Sequence, residues 1–108
     1  MVSRIVHWTV EVAQMNGFKA AWNEQFLPRI QALPGFVENI ESLDPSNGRF
    51  CCVTIWQTSA DEQRYAEGLY QEMTRAFRPA LKKEVPRVDT LPVLNSSTQH
   101  VFAGRAVA

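Results

Sequence analysis

The fold of this chain is decided by residues 33–62, which read LPGFVENIESLDPSNGRFCCVTIWQTSADE. Pro34-Gly35 is typical of a helix end, and the segment from Phe36 to Leu43 has the length and apolar content of a strand. The next five residues, DPSNG, are turn formers, and Asn47-Gly48 suits the positive φ values of a hairpin. Another strand is predicted over Arg49 to Gln57, and SADE from Ser59 fits the capping box that starts a helix.

A first strand is predicted over residues Arg4 to Val12, before this central stretch. Its alternation places one set of residues on one face and a second set on the other. The first set is apolar and the second is mixed, which indicates one buried and one semi-polar side of the sheet. The apolar set is Val6, Trp8, Val10 and Val12, and the mixed set is Ile5, His7, Thr9 and Glu11.

Two amphipathic helices are predicted from apolar residues at steps of four. In the first, which Asn16-Gly17 could cap, Pro28 removes a backbone donor, so we expect a kink or a break near Phe26-Leu27. In the second, Gly68 weakens the helix internally and could break it. The apolar stripes are Phe18, Trp22, Phe26 and Ile30 in the first helix, and Tyr65, Leu69, Met73 and Phe77 in the second.

A fourth strand is expected from the C-terminal part, either at Arg87 to Leu94 or at Gln99 to Ala103. Pro86 and Pro92 favour an edge position for the first of these segments. The whole pattern predicts an α+β domain with a ferredoxin-like βαββαβ sheet. We expect one domain over residues 1–108, in which residues 94–108 form a tail that supplies an extra strand or a dimer arm.

Composition excludes several classes of function. The 108 residues contain eleven basic and eleven acidic side chains, which gives no support for electrostatic binding of nucleic acid. No apolar run is long enough to cross a membrane, and the N-terminus lacks the apolar stretch of a signal peptide, so we expect a cytoplasmic protein. A domain this small leaves much of its surface exposed, so dimerisation to cover a sheet face is plausible.

Common catalytic and metal-binding motifs are missing from the sequence. It contains no phosphate loop, nucleophile elbow, dinucleotide fingerprint or zinc spacing. Cys51 and Cys52 are adjacent on a predicted strand and point to opposite faces, so they are poorly placed for a disulfide. We interpret both cysteines as small core or interface residues, with a reactive thiol as the alternative.

The chain resembles the antibiotic-biosynthesis-monooxygenase-like domains of the dimeric α+β barrel superfamily. The resemblance is carried by residues 26–30 (FLPRI), 33–36 (LPGF), 44–48 (DPSNG) and 53–59 (VTIWQTS). It covers about residues 3–94 by element order. Such domains commonly have a Pro-Gly-Phe step into the second strand and a tryptophan at the end of the third.

The resemblance implies a homodimer in which two four-stranded sheets close into a barrel, with a pocket between each sheet and its helices. Some members oxidise polycyclic phenols, anthrones or quinols with O2 and without a metal or organic cofactor. Others degrade haem, act on signalling molecules or have no demonstrated activity. The resemblance therefore implies a fold strongly and a reaction weakly.

Three residues are candidates for catalysis under this resemblance. Trp56 matches the strand-ending tryptophan that lies near the substrate in cofactor-free members. Tyr65 follows on the next helix, one turn later than the tyrosine of anthrone-oxidising members. His7, on the semi-polar face of the first strand, has a side chain suited to proton transfer near neutral pH. For each of them a purely structural role is the alternative.

The pocket implied by the resemblance needs apolar walls and a polar contact that favours a phenolate. Tyr65, His7 or Asn39 could supply the polar contact. The candidate walls are Trp8, Trp22, Trp56, Met73 and Phe77.

Haem degradation is disfavoured by the second predicted helix. Tyr65 takes what looks like the position of the helical tryptophan of haem degraders, but no histidine follows between Gly68 and Leu81. His100, the second of the two histidines, lies in the tail.

The sequence thus favours a cofactor-independent monooxygenase of a small aromatic or quinol-like metabolite. A non-catalytic or stress-related barrel that binds a small apolar molecule is the alternative. Expected partners are a second copy of the chain and this small molecule.

Overall fold

The computed structural model describes residues 1–83 and 86–96. Its four strands form one antiparallel sheet in the order β2-β3-β1-β4, so the two central strands are β3 and β1. The strands are β1 (Val2–Thr9), β2 (Phe36–Leu43), β3 (Arg49–Trp56) and β4 (Arg87–Pro92).

The helices follow β1 and β3 in the chain and cover one face of the sheet. With them the chain has the predicted βαββαβ plan of a ferredoxin-like α+β fold, which confirms the expected fold class. The helices are α1 (Met15–Ala21), α2 (Leu27–Gln31), α3 (Ser59–Glu67) and α4 (Leu69–Phe77), with a π-helical turn at Trp22–Phe26 and 3-10 turns at Val12–Gln14 and Arg78–Ala80.

Both predicted helix interruptions are confirmed. The π-helical turn ends at Phe26, and Pro28 lies in the first turn of α2, where a missing N–H costs no helical hydrogen bond. Gly68, with φ −106° and ψ −98°, separates α3 from α4. The cap of α3 differs by one residue from the prediction. Thr58 is extended and its Oγ1 accepts from the Asp61 N–H at 3.1 Å, whereas Ser59 is already helical.

The first strand is shorter at its C-terminal end than predicted. It ends at Thr9, because the chain then leaves the regular ladder to pack on the segment after α4. Val10 forms an isolated bridge with Leu81, and the Glu11 N–H donates to the Ala80 carbonyl at 2.8 Å. Val12 therefore begins a 3-10 turn and is 52% exposed, instead of belonging to the buried face of the strand.

The fourth strand is the first of the two predicted candidates. It pairs antiparallel with β1 at the edge of the sheet, where Pro92 does not interrupt an inner ladder. The second candidate, Gln99 to Ala103, and the tail beyond residue 96 lie outside the described residues.

A β-bulge near the start of β2 decides which of its side chains face the helices. Phe36 pairs with Trp56, but the next paired residue is Glu38, opposite Ile55, so Val37 is the extra residue. Phe36 consequently packs edge-on against Trp56, at 5.9 Å between ring centroids. Further along β2, Asn39 and Glu41 take the side of the sheet that faces the helices.

The hairpin between β2 and β3 depends on a glycine. Gly48 has φ +77°, and its carbonyl accepts from the Val10 N–H at 2.7 Å. A Cβ at this position would lie 1.9 Å from the Val10 carbonyl oxygen, so no side chain fits. The predicted turn at Asp44 to Gly48 is thus confirmed, and it also holds the end of β1.

The sheet has one face covered by helices and one without a helix among the described residues. We call the second face the open face. It carries Ile5 and His7 of β1 and their paired residues on β3, Val53 and Cys51. Ile40 on β2 and Leu91 on β4 lie on the same face and are 57% and 54% exposed. In the described part of the chain, no helix is both long and apolar enough for a bilayer.

Candidate functional site

The layer between the sheet and the helices is built from aromatic side chains. Trp8, on β1, lies at its centre and contacts five other rings at centroid distances of 5.9 to 6.3 Å. The same layer contains Trp56, which is fully buried, and Met73. The five rings around Trp8 are those of Phe18, Trp22, Phe50, Tyr70 and Phe77.

Trp56 and Tyr65 form a stacked pair at one end of this layer. Their ring centroids are 4.8 Å apart and their planes differ by 25°. The Trp56 Nε1–H donates to Thr54 Oγ1 at 2.9 Å, which fixes the indole on the helix side of β3. The Tyr65 hydroxyl lies 4.0 Å from Met73 Sδ, a weak acceptor. The two rings are therefore fixed in place, and the Tyr65 hydroxyl can still donate a hydrogen bond to a stronger acceptor than sulfur.

The buried position of Tyr65 controls its protonation. Removal from water raises the pKa of Tyr65 well above its usual range, and the nearby Cys52 and Glu41 act in the same direction. Burial likewise raises the pKa of the Cys52 thiol, with the charge of Glu41 as a further cause. At neutral pH both groups are protonated. Tyr65 can thus donate a hydrogen bond or a proton, but it does not act as a base.

Glu41 is the carboxylate on the helix side of β2, opposite Cys52 in register. Its Oε1 accepts from Trp22 Nε1–H at 3.1 Å, and its Oε2 accepts from Asn39 Nδ2–H at 2.6 Å. Asn39 in turn accepts from Gln31 Nε2–H at 3.2 Å through its Oδ1. Neutral donors from two elements therefore hold the carboxylate in one orientation.

A cavity of about 150 Å³ opens beside Glu41, between α1 with its π-helical turn and the β2–β3 hairpin. Its walls are mostly apolar, and its rim carries Lys19 and Asn23. An engineered apolar cavity of about 150 Å³ binds benzene, so the size suits one aromatic ring. The apolar walls are Phe18, Trp22, Leu43 and Phe50.

A buried ion pair lies at the β1 end of the same layer. Arg4 Nη1 is 2.9 Å from Glu62 Oε2, and the two side chains are 9% and 7% exposed. The guanidinium also lies over the Tyr70 ring, 4.2 Å from its centroid. Among the described residues, Arg4 Nε and Trp8 Nε1 are buried donors without a protein acceptor.

The structure brings together most, but not all, of the predicted site residues. One group is centred on Tyr65, which contacts both Trp56 and Met73, and a second group surrounds Trp8. His7 is on the open face, across the sheet from Tyr65, where it borders a 440 Å³ cavity with Cys51 and Arg87. The group around Trp8 contains Trp22 and Phe77, and Asn39 reaches Trp22 through Glu41.

Glu41 and the Arg4–Glu62 pair have no specific role predicted from the sequence. The alternation of β2 could have placed Asn39 and Glu41 on one face, next to the buried residues of β3. The ion pair of Arg4 with Glu62 could not be predicted from a local pattern, because the two residues are 58 positions apart in sequence. In the described part of the chain, no group of three or more metal-ligating side chains is present.

Comparison with known proteins gives a fold match without a sequence match. No protein-family model matches the sequence, and no curated protein is detectably similar to it. Solved structures do match. A candidate antibiotic biosynthesis monooxygenase from Nitrosomonas europaea superposes with a TM-score of 0.74 at 18% identity, covering 88% of this chain and 100% of that chain.

Two further matches carry names that state an activity. A variant of SnoaB, a cofactor-independent oxygenase from Streptomyces nogalater, has a TM-score of 0.66 at 14% identity, over 89% of this chain and 95% of that one. The ActVA-Orf6 monooxygenase of Streptomyces coelicolor, solved with nanaomycin D, has a TM-score of 0.71 at 12% identity, over 88% of each chain.

These identities establish the fold and not the reaction. The chain has the ferredoxin-like α+β fold of the antibiotic-biosynthesis-monooxygenase domains, as the sequence resemblance predicted.

Proposed function

We propose that the protein is a cofactor-independent monooxygenase that oxidises a small phenol or quinol with O2. The observation that carries the proposal is the stacked pair of Trp56 and protonated Tyr65 inside an aromatic layer, in a fold shared with a cofactor-independent oxygenase. Aromatic walls accept a flat ring, and the tyrosine hydroxyl is a donor for the oxygen atoms of the reaction.

The proposed reaction requires little from the protein, because an electron-rich phenolate reduces O2 itself. The phenolate passes one electron to O2, and the resulting aryloxyl radical and superoxide join through a new C–O bond. Loss of the ring hydrogen and cleavage of the O–O bond then leave one oxygen as a quinone carbonyl and release the other as water. In sum, a phenol with a free ring C–H position and O2 yield a quinone and water.

Each site residue has a role in this proposal. Tyr65 donates to the peroxide oxygen as the O–O bond breaks, and Trp56 stacks beside it. Trp22 lines the cavity and excludes water from the ring, while Trp8, Met73 and Phe77 fill the buried layer behind it. Asn39 orients the Glu41 carboxylate at the cavity. The 150 Å³ cavity favours single-ring hydroquinones and phenols over polycyclic anthrones. His7, on the other face of the sheet, receives no role in this reaction.

The first prediction concerns the Tyr65 hydroxyl. Tyr65→Phe is expected to lower kcat for O2 uptake with a hydroquinone about 100-fold, because the donor to the peroxide is lost. The free energy of unfolding is expected to change by less than about 1 kcal/mol, since the only hydrogen-bond partner of the hydroxyl among the described residues is Met73 Sδ, at 4.0 Å. An oxygen electrode and a denaturant titration measure the two quantities.

Tyr70→Phe is the matched control for this experiment, because Tyr70 is the neighbouring buried tyrosine and has its ring against Arg4. The control is expected to keep wild-type turnover. Equal turnover in wild type and Tyr65→Phe would remove Tyr65 from the chemistry.

A non-catalytic binding protein is a second candidate function. The small volume of the cavity between the sheet and the helices favours it. Pockets for drug-sized ligands usually measure about 300–1,000 Å³, whereas the cavity beside Glu41 measures about 150 Å³. This candidate predicts saturable quenching of tryptophan fluorescence by a small aromatic compound, with no O2 uptake. The oxygenase predicts uptake with one product molecule formed for each O2 consumed.

We further propose that the protein is a homodimer whose subunits meet through the open face. The support is an apolar band across that face, formed by Ile5 and Val53 with the exposed Ile40 and Leu91 at its two edges. An exposed apolar band of this kind is typical of an interface. Two sheets that pack through it would form the barrel that the sequence resemblance implies.

The second prediction tests this interface by solution mass. Sedimentation equilibrium is expected to give twice the 12.3 kDa of one chain for wild type. Ile40→Asp is expected to give the monomer mass, because it would bury an unpaired charge between the sheets. Val12→Asp, at a residue of similar exposure (52%) outside the sheet, serves as the control and should stay dimeric. A monomeric wild type would contradict the proposal.

A further inference from the structure

We propose that Glu41 is the general base that removes the phenolic proton of the substrate. The inference rests on the proposed oxygenase function and assigns its first step. In that step the substrate O–H bond breaks, the proton passes to a Glu41 carboxylate oxygen, and the electron pair stays on the substrate as the phenolate. The carboxylic acid later returns this proton to the departing oxygen, and the hydrogen lost from the ring carbon as a proton supplies the second hydrogen of the water. Tyr65 gives a hydrogen bond to that oxygen and no net proton.

The position of Glu41 meets the geometric requirement for this role. It lines the 150 Å³ cavity together with Phe18, Trp22 and Phe50, so a ring held between these walls would place a hydroxyl group against the carboxylate. The side chain is half-buried, at the boundary between the cavity and the buried layer that contains Tyr65. A base must lie within hydrogen-bond reach of the proton that it abstracts.

The hydrogen bonds of Glu41 orient the carboxylate without neutralising it. Trp22 Nε1 and Asn39 Nδ2 each donate to one oxygen, at 3.1 and 2.6 Å, and both donors are uncharged. None of the ion pairs found in residues 1–83 and 86–96 includes Glu41. Each carboxylate oxygen has two acceptor sites, so one site on each oxygen is still available to a substrate hydroxyl.

The other acid–base groups of this layer cannot take the role. Burial keeps Tyr65 and Cys52 protonated by raising the pKa of each group. Glu62 is occupied by Arg4. The arrangement therefore separates two functions, with a carboxylate on β2 that accepts and returns the proton and a phenol on α3 that donates a hydrogen bond. Asn39 and Trp22 are positioning residues, because they act through Glu41.

The test compares Glu41→Gln with wild type over a series of phenols of decreasing pKa. Glutamine keeps the size and hydrogen-bonding ability of the side chain but cannot accept the proton. With phenols that are protonated at the assay pH, kcat is expected to fall about 100- to 10,000-fold with little change in KM. With phenols acidic enough to be ionised in solution, the loss is expected to shrink to less than about tenfold, because no base is needed.

Glu38→Gln is the matched control, since Glu38 lies on the same strand but pairs with Ile55 on the open face. It is expected to match wild type for every phenol. Thermal unfolding of each variant, and a Glu41→Asp variant that retains the carboxylate, separate a folding defect from a catalytic one. Glu41→Asp is expected to recover part of the lost turnover.

Two results would overturn the assignment. One is wild-type turnover of protonated phenols by Glu41→Gln, and the other is a loss of equal size for ionised and protonated phenols. In both cases wild type still consumes O2, so the oxygenase function survives and only the role of Glu41 is lost. Absence of O2 uptake by wild type with every phenol would instead overturn the oxygenase function, and this assignment with it.

Discussion

Trp56→Ala is expected to lower the free energy of unfolding by about 3–5 kcal/mol, the usual range for removal of a large buried aromatic side chain. Trp56 is fully buried, stacks on Tyr65 at 4.8 Å and packs edge-on against Phe36 at 5.9 Å. Alanine would leave a cavity between β3 and α3 that rigid neighbours cannot fill. Denaturant unfolding followed by circular dichroism measures the change.

Trp56→Phe distinguishes the contribution of the indole's volume to stability from the contribution of its hydrogen bond. Phenylalanine keeps an aromatic ring against Tyr65 but removes the Nε1–H that donates to the buried Thr54 hydroxyl at 2.9 Å. We expect a loss of about 1–3 kcal/mol, the cost of a buried polar group left without a partner. A loss below about 1 kcal/mol for Trp56→Ala would contradict the packing described here.

Arg4→Met is expected to cost about 3–5 kcal/mol, because it leaves the Glu62 carboxylate buried without its partner. Arg4 and Glu62 are both almost fully buried and 2.9 Å apart, and Arg4 also covers the Tyr70 ring. The pair joins β1 to α3. Its loss is therefore expected to loosen the side of the helical layer that carries Tyr65.

The double variant Arg4→Met/Glu62→Leu gives the decisive comparison. Replacing both partners by apolar residues removes the unpaired charge, so most of the lost stability is expected to return. Unfolding free energies of the wild type, the single variants and the double variant complete the cycle. A double variant no more stable than Arg4→Met would show that the interaction with Tyr70, and not the unpaired charge, dominates the loss.

Much of the fold was predictable because its signals are local. The turn formers before Gly48, the proline in α2 and Gly68 each act on their own backbone, so their effects can be inferred from neighbouring residues. The predictions were less accurate where distant segments meet. Val12 was assigned to β1, but contacts with Leu81 and Ala80 end that strand earlier.

Part of the candidate site was predictable for the same reason. Apolar residues at steps of four placed Tyr65, Met73 and Phe77 on one helical stripe, although the break at Gly68 divides that stripe between two helices. The partner relations within the site were not predictable. His7 and Trp8 are adjacent in sequence, yet their side chains lie on opposite faces of the sheet, and only one of these faces is covered by helices.

The order of strands and helices along the chain, the hairpin and the aromatic character of the interior all follow from local sequence patterns, because periodicity and turn chemistry act over a few residues. Three contacts depend instead on how the elements pack: Trp56 stacks on Tyr65, Arg4 pairs with Glu62, and Trp22 holds Glu41 at the edge of a cavity. These contacts join residues 9 to 58 positions apart. The bulge at Val37 and the packing of helices on the sheet set their distances, and no local pattern encodes that packing.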